Sequence, residues 1–390
     1  MAITYFQSLS LAGFAATAIS YGPARMGFGL FVPEFKSAFS LSSTAVGLIS
    51  GLGFFGFFLG LILAEALLIR AGPRLPVLSG LAAALAGLAC VALAQSPASL
   101  ALGVFLAASS AGFAWTPFND PVHRKIRDQD RPSALARIST GTSLGIALAG
   151  LVGIGTVWLD LHWRAGWAVF AGAAAAALVI NAFGLRDIDM APRVDHGLDW
   201  RDLLRARAHP LFAMALVFGI VSGIYIAFAA DHFWNRGGLD GVPTAITPGL
   251  VFVFFGLFGL SGLLTGNVKD RLGLPWLLRG LMLCGAVSLI LVAAAAGTWI
   301  GLIASAGLQG IFVMMTSAVL ALWSERLFPD APALSFTTTL LAVATGNMLG
   351  PVTAGWVSDT FSPEVMLIGA AILPALAAGL LRKRHAVERP

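Results

Sequence analysis

Twelve apolar runs, each about 20 residues long, constrain the fold more than any other feature of the sequence. They begin near Ser8, Thr44, Pro76, Ala98, Ala134, Arg164, Leu211, Thr244, Trp276, Thr298, Ala333 and Pro363. An α-helix needs about 20 apolar residues to cross the hydrocarbon core of a bilayer. Only 11% of the residues are charged, against about 25% in soluble domains, and the mean hydropathy is +0.86. The sequence therefore predicts an all-α membrane protein with twelve transmembrane helices. This composition excludes a soluble enzyme, a nucleic-acid-binding protein and a disordered scaffold.

The Lys and Arg residues are biased to one side of the predicted membrane. With the N-terminus placed in the cytoplasm, twenty of the 24 lie on the inner side, and only Lys36, Arg164 and Arg236 lie on the outer side. Loops rich in Lys and Arg stay in the cytoplasm, so both termini are predicted to be cytoplasmic. This bias accounts for the pI of about 9.7 without a nucleic-acid partner. The N-terminal residues MAITYFQS contain no basic residue, so we expect no cleavable signal peptide.

The two halves of the chain repeat each other at an offset of 201 residues. Residues matched at this offset are Phe54 with Phe255, Phe57 with Phe258, Arg70 with Arg271, Gly72 with Gly273 and Gly145 with Gly346. The longest polar stretch separates the sixth and seventh spans. We therefore predict an N-terminal six-helix bundle over residues 1–185, a cytoplasmic interdomain loop over 186–210, and a C-terminal six-helix bundle with a short basic tail over 211–390. An even number of spans per copy is typical of parallel repeats, related by an axis along the membrane normal.

The loop after the eighth span contains the motif GNVKDRLG, over residues 266–273. It resembles the G-x-x-x-D-R-x-G signature of the major facilitator superfamily (MFS). The first copy is degenerate, because Glu65 replaces the glycine and Ile69 replaces the Asp of the signature. Residues 21–33, YGPARMGFGLFVP, are similar to the first helix of the bacterial YbfB/YjiJ-like branch. The resemblance implies two pseudo-symmetric six-helix bundles, secondary transport by alternating access, and a location in the bacterial inner membrane.

Arg25 lies inside the first predicted span, about two helical turns before Pro33. An Arg at such a depth costs about 2.5–3.5 kcal/mol on insertion scales, so it must face protein or a water-filled cavity. Its forked guanidinium group suits a carboxylate or a phosphate, which makes Arg25 the principal candidate for substrate binding. The alternative is a structural ion pair, or a bond to carbonyl groups of a helix broken at Gly22-Pro23.

Polar and aromatic residues of other predicted spans are candidates to bind the substrate together with Arg25. They are Tyr21, Trp115, Asn119, Tyr225, Gln309 and Asn347. Each of them, taken alone, is equally typical of a contact between neighbouring helices. The Phe-rich stretches at positions 54–58 and 252–258 are predicted to pack in the protein or to face lipid.

Charged residues near the span ends are candidates for gating and coupling. Asp231, at the end of the seventh span, is interpreted as a gate partner of Arg25 or as a proton-binding site. The alternative for Asp231 is an ordinary interfacial carboxylate in water. A network that closes the cytoplasmic side is predicted from Glu65, Arg70, Asp270 and Arg271, as conformational-switch residues rather than substrate ligands.

Enzyme signatures are absent from the sequence. It contains no H-E-x-x-H, G-x-x-x-x-G-K-[ST] or G-x-S-x-G motif, and all six His residues lie in loops or at span ends. We therefore predict no catalytic residue, no metal site and no cofactor.

The function predicted from these residues is secondary active transport of a small organic anion, with a carboxylate favoured and protons as the candidate coupling ion. We expect a monomer in the lipid bilayer. One alternative is an exporter of hydrophobic or cationic compounds, which the Phe-rich spans favour and the scarcity of acidic residues in the spans disfavours. A second alternative is a transporter-fold receptor or sensor without flux, which the short tail RKRHAVERP disfavours.

Overall fold

The structure, a computed structural model, describes residues 5–186, 188, 208–329 and 332–381. All of the regular structure in these ranges is helical. Most of the predicted interdomain loop, residues 186–210, and nearly all of the basic tail lie outside the described residues.

The helices follow one another along the chain with short connections. In chain order they are α1 (Tyr5–Ile19), a π-helical turn (Ser20–Ala24), α2 (Arg25–Leu30), α3 (Val32–Phe39), α4 (Ser43–Ala71), α5 (Arg74–Ala92), α6 (Pro97–Ser109), a 3₁₀ turn (Ser110–Phe113), α7 (Thr116–Lys125), α8 (Arg131–Trp158), α9 (Trp163–Gly184), α10 (His209–Asn235), a 3₁₀ turn (Thr244–Ile246), α11 (Thr247–Gly259), a 3₁₀ turn (Leu260–Leu264), α12 (Thr265–Leu272), α13 (Leu274–Ala295), α14 (Trp299–Leu327), α15 (Pro332–Thr360) and α16 (Pro363–Leu380).

Eleven helical stretches of the described residues are long and apolar enough to cross a membrane. They are Ser43–Ala71, Arg74–Ala92, Pro97–Phe118, Arg131–Trp158, Trp163–Gly184, His209–Asn235, Thr244–Leu272, Leu274–Ala295, Trp299–Leu327, Leu334–Thr360 and Pro363–Leu380. These stretches coincide with the second to twelfth predicted spans. The first predicted span is divided among α1, the π-helical turn, α2 and α3. The all-α membrane fold is confirmed, while the total of twelve transmembrane helices and the cytoplasmic location of the termini stay predictions.

The chain divides into two compact units. Unit 1 contains Met1–Leu41, Leu52–Arg193 and Pro248–Gly256, and unit 2 contains Ser42–Gly51, Val194–Thr247 and Leu257–Pro390. Helices α4 and α11 therefore contribute residues to both units. The predicted bundles, residues 1–185 and 211–390, stay a prediction.

In unit 1, α8 crosses α1 and the π-helical turn at glycines that admit no side chain. A Cβ atom on Gly145 would lie 2.2 Å from the carbonyl oxygen of Ala18, and one on Gly141 would lie 2.2 Å from Thr17 Oγ1. A Cβ atom on Gly22 would lie 2.6 Å from the carbonyl oxygen of Gly145. Two small residues spaced four apart let membrane helices approach to backbone contact. This contact holds the π-helical turn against α8.

In unit 2, α10 and α15 cross in the same manner. A Cβ atom on Gly346 would lie 2.2 Å from the carbonyl oxygen of Leu216, and one on Gly219 would lie 2.1 Å from the carbonyl oxygen of Val343. Gly145 and Gly346, which the sequence repeat matches, thus both lie at a helix crossing.

Candidate functional site

The π-helical turn Ser20–Ala24 interrupts the first predicted span. Gly22 has a non-helical backbone conformation, with φ −76° and ψ −106°. Pro23 follows it, and a proline in a helix lacks an N–H donor and clashes with the carbonyl group four residues earlier. Such π-helical turns occur frequently at functional sites. The break ends at Arg25, the first residue of α2.

Three aromatic rings lie close to the guanidinium group of Arg25. Its Cζ atom is 4.4 Å from the ring centroid of Phe57, 5.4 Å from that of Tyr21 and 5.5 Å from that of Phe54. Phe54 and Phe57 are buried, whereas Tyr21 and Arg25 are half-buried. A cation–π contact contributes about 0.5–1 kcal/mol at an exposed site and about 2 kcal/mol or more where it is desolvated. The rings therefore fix the position of the cation.

The hydrogen-bonding capacity of Arg25 is largely unused. A guanidinium group has five N–H donors in a planar fork, and the buried Nε of Arg25 has no partner among the described residues. In the described part of unit 1, no carboxylate forms an ion pair with Arg25. Since aromatic contacts do not use the N–H donors, the fork remains able to bind a carboxylate or phosphate in a bidentate manner.

Three of the predicted binding residues lie together in unit 2 and are buried. Ser222 Oγ donates a hydrogen bond to Asn347 Oδ1 at 3.0 Å, and the hydroxyl groups of Tyr225 and Ser305 share one at 3.5 Å. Both polar atoms of the Gln309 amide, and Nδ2 of Asn347, have no hydrogen-bond partner in the described ranges. Tyr225, Gln309 and Asn347 therefore belong to one polar region, while Tyr21 lies with Arg25 in unit 1.

Two of the predicted binding residues lie at α7. Trp115 directly precedes α7 and is half-buried. Asn119 lies within α7, and its side chain is outside the described residues. The part of Trp115 and Asn119 in substrate binding stays a prediction.

The family profile of the Major Facilitator Superfamily matches residues 13–237, which is more than half of the 390 residues. The chain belongs to this superfamily. It is a multi-pass membrane protein of a family of transporters rather than enzymes, as the sequence predicted. Its placement in the YbfB/YjiJ-like branch stays a prediction. No curated protein sequence matches the chain significantly.

Solved structures similar to this MFS protein are transporters. A crystal structure of a mutant of the nucleoside transporter NupG has a TM-score of 0.76 at 13% identity, covering 97% of this chain and 99% of that one. A POT family transporter in complex with 5-aminolevulinic acid has a TM-score of 0.74 at 15% identity, covering 96% and 94%. A bacterial homologue of the human lysosomal transporter Spinster has a TM-score of 0.68 at 17% identity, covering 99% and 94%. At these identities the likeness extends to the fold alone.

The gating candidates of this MFS protein differ in their surroundings. Asp231 is 7% exposed, so its side chain is buried rather than immersed in water. Glu65 is half-buried and has no ion pair among the described residues, and Arg70 is exposed. In the signature loop, exposed Asp270 forms an ion pair with Lys269 at 3.4 Å, and Arg271 is exposed. A role of these residues in closing the protein stays a prediction.

Metal binding has no support in the described part of the chain, where no group of three or more His, Cys, Asp or Glu side chains could hold an ion.

The sequence does not identify the aromatic partners of Arg25. Phe54 and Phe57 belong to a stretch predicted to pack in the protein or to face lipid, and in the structure their rings contact the guanidinium group. Residues three apart share one helix face, and Phe55, on another face, is 38% exposed. The spacing therefore places Phe54 and Phe57 on one face of α4 and Phe55 on another, but it does not predict which face contacts Arg25.

Proposed function

We propose that the protein is a secondary active transporter that moves a small organic anion, with a carboxylate as the favoured group, by alternating access. The observation that carries this proposal is the state of Arg25, a cation inside a broken membrane span whose N–H donors have no acceptor among the described residues. Location in the bacterial inner membrane with cytoplasmic termini, and action as a monomer, belong to the same proposal.

Charge is what favours an anion over the alternative substrates. A cation in surroundings of low dielectric constant interacts more strongly with an opposite charge than it would in water. A cationic substrate would be repelled by Arg25, and an apolar substrate would leave its donors unpaired. The rings of Tyr21, Phe54 and Phe57 would suit an apolar compound, but the guanidinium group already lies against them.

Proton coupling is the less supported part of the proposal, and Asp231 is its candidate. A buried carboxylate that binds and releases a proton would make transport depend on pH. Replacing Asp231 by Asn removes the carboxylate and retains the shape of the side chain. Uptake by Asp231→Asn that keeps the pH dependence of the wild type would exclude Asp231 from coupling.

The experiment that tests the proposal measures charge movement by electrophysiology on proteoliposomes fixed to a solid support. The compounds applied are small carboxylates, sulfonates, phosphates and lipophilic cations, and the variants are Arg25→Met and Arg25→Lys. Lysine keeps the charge but loses the fork that binds a carboxylate at two points. We expect anion-dependent currents that are abolished in Arg25→Met and reduced in Arg25→Lys. Currents evoked by lipophilic cations that persist in Arg25→Met would contradict the proposal and support the exporter.

A further inference from the structure

A second polar region lies in unit 2, where α10, α14 and α15 pack against one another. We name it the amide cluster, and it consists of Ser222, Tyr225, Ser305, Gln309 and Asn347. Ser222 on α10 bonds to Asn347 on α15, and Tyr225 on α10 bonds to Ser305 on α14. Gln309 lies four residues after Ser305, one turn along the same face of α14. Three helices therefore bring their uncharged polar side chains to one place.

The amide cluster contains more hydrogen-bonding atoms than it uses. Gln309 and Asn347 are both 0% exposed. Gln309 Oε1, Gln309 Nε2 and Asn347 Nδ2 have no hydrogen-bond partner among the described residues. Most buried polar atoms of native proteins are paired, and each unpaired one costs about 1–3 kcal/mol. Several unpaired atoms in one cluster add up to a free-energy cost that needs an explanation. A ligand that forms hydrogen bonds with these atoms supplies one.

A buried amide elsewhere in the chain provides a contrast at its nitrogen, although its Oδ1 atom also has no hydrogen-bond partner among the described residues. Asn181 of unit 1 is also 0% exposed. Its Nδ2 atom donates to the carbonyl oxygens of Ala12 and Ala177, at 3.0 and 2.9 Å. The amide nitrogen of Asn181 thus links α9 to α1, whereas that of Gln309 has no hydrogen-bond partner among the described residues.

We propose that the amide cluster binds an uncharged ligand group that donates and accepts hydrogen bonds at once, such as a carboxamide, a lactam or a ureide. The side-chain amide of Gln309 offers an acceptor and a donor next to each other, which match the edge of a second amide in two parallel hydrogen bonds. Asn347 Nδ2 supplies a further donor. The cluster contains no charged side chain, so it does not favour an ion, and its ligand chemistry does not depend on Arg25.

The first test uses the sign of a stability change in the purified, unliganded protein. Gln309→Met replaces the amide by an apolar side chain of similar shape, and Asn181→Leu does the same at the bonded amide. Removing unpaired polar atoms relieves their desolvation cost, while removing a bonded donor loses the hydrogen bonds that it makes. We expect the melting temperature to be unchanged or raised in Gln309→Met and lowered in Asn181→Leu. A fall in Gln309→Met as large as that in Asn181→Leu would make the amide structural and overturn the proposal.

The second test titrates the full-length protein with hydantoin and pyrrolidone and follows the melting temperature. Cyclopentanone, which accepts hydrogen bonds but donates none, is the matched control. Hydantoin or pyrrolidone should stabilise the wild type and Arg25→Met alike, and their affinity should fall about tenfold or more in Gln309→Met. No stabilisation by either probe, an equal effect of cyclopentanone, or full binding by Gln309→Met would overturn the proposal. Acetate, tested on the wild type and on Arg25→Met, reports separately on the anion function, since its binding should be lost in Arg25→Met.

Discussion

The crossing of α1 with α8 in unit 1 and the crossing of α10 with α15 in unit 2 share one backbone arrangement. Gly145 and Gly346, 201 residues apart, each bring a helix into backbone contact with its partner. Gly22 lies at the first crossing, and its counterpart Gly223 lies at the second, where a Cβ atom would be 2.9 Å from the carbonyl oxygen of Asn347. The next position differs, because Pro23 in the first corresponds to Ile224 in the second.

This difference, together with others at matched positions, changes the chemistry of the two crossings. Pro23 accompanies the π-helical turn that ends at Arg25, whereas α10 runs without a break from His209 to Asn235. Arg25 corresponds to Ile226, which is buried, and Ile146 corresponds to Asn347 of the amide cluster. Small residues thus allow the close helix crossing in both units. Other positions near the crossing carry a cation in unit 1 and uncharged amides in unit 2.

The largest effect is expected from filling a crossing. In Gly145→Ala and Gly346→Ala the new Cβ atom meets a carbonyl oxygen at 2.2 Å, and backbone cannot move aside cheaply. We expect each variant to lose about 3 kcal/mol or more in the free energy of unfolding. Gly155→Ala, on α8 with nothing within 4 Å, is the matched control. It should be neutral or gain up to about 1 kcal/mol from helix propensity. Thermal unfolding in detergent measures the three variants, and a Gly145→Ala protein as stable as Gly155→Ala would refute the backbone contact.

Removing the proline makes the two crossings more alike. Pro23→Ala restores an N–H donor, and we expect the free energy of unfolding to rise by roughly 1–2 kcal/mol. This gain is smaller than the ~3 kcal/mol cost of proline in a regular helix, because the π-helical turn already accommodates the proline. Anion affinity should fall, since the break positions Arg25 against its rings. Pro33→Ala is the control, because Pro33 lies in the first turn of α3, where proline is tolerated. Thermal unfolding and anion titration measure both variants, and unaltered anion binding in Pro23→Ala would mean that the break does not position Arg25.

The sequence predicts the spans well because a bilayer permits few structures. Unpaired backbone groups are costly in hydrocarbon, so each apolar run forms a helix, and the runs predicted from Thr244 and Pro363 begin in the structure at those residues. The contacts between side chains are harder to predict from the sequence. Which ring meets Arg25 depends on the rotation of α4, and whether Gln309 is paired depends on neighbours from two other helices. Arg25 itself stands out in the sequence because a charge inside a membrane span is rare and costly.

Removing one ring tests the aromatic surroundings of Arg25 in unit 1. Phe57→Leu removes the ring closest to Arg25, at 4.4 Å. We expect a loss of about 0.5–2 kcal/mol of cation–π energy, seen as weaker anion binding because the guanidinium group is less well fixed. Phe55→Leu, on the exposed face of α4, should bind anions like the wild type. Titration of the two variants measures the difference, and equal affinities would show that the ring does not position Arg25.

The smallest effect concerns the ends of the two crossing helices. Near the end of α15, the carboxylate of Asp359 accepts hydrogen bonds from the backbone N–H groups of Ser43 and Thr44, at 3.0 and 2.7 Å, and so caps α4. Its counterpart at the end of α8 is Trp158, which has no carboxylate to offer. Asp359→Ala should lower the free energy of unfolding by about 1 kcal/mol. Thr360→Ala, one residue on, is the control in the same thermal unfolding experiment, and an equal change in both variants would contradict the cap.

The central claim is that the unpaired donors of Arg25 bind an anion, and the most direct measurement is a thermal-shift screen of the purified wild type beside Arg25→Ala. The panel contains small carboxylates, phosphates, sulfonates and lipophilic cations, because any compound that binds the folded protein raises its melting temperature. We expect one class of anion to stabilise the wild type, and we expect this stabilisation to be lost in Arg25→Ala. Stabilisation of both proteins by the same anions, or by lipophilic cations alone, would contradict it and make Arg25 a structural residue.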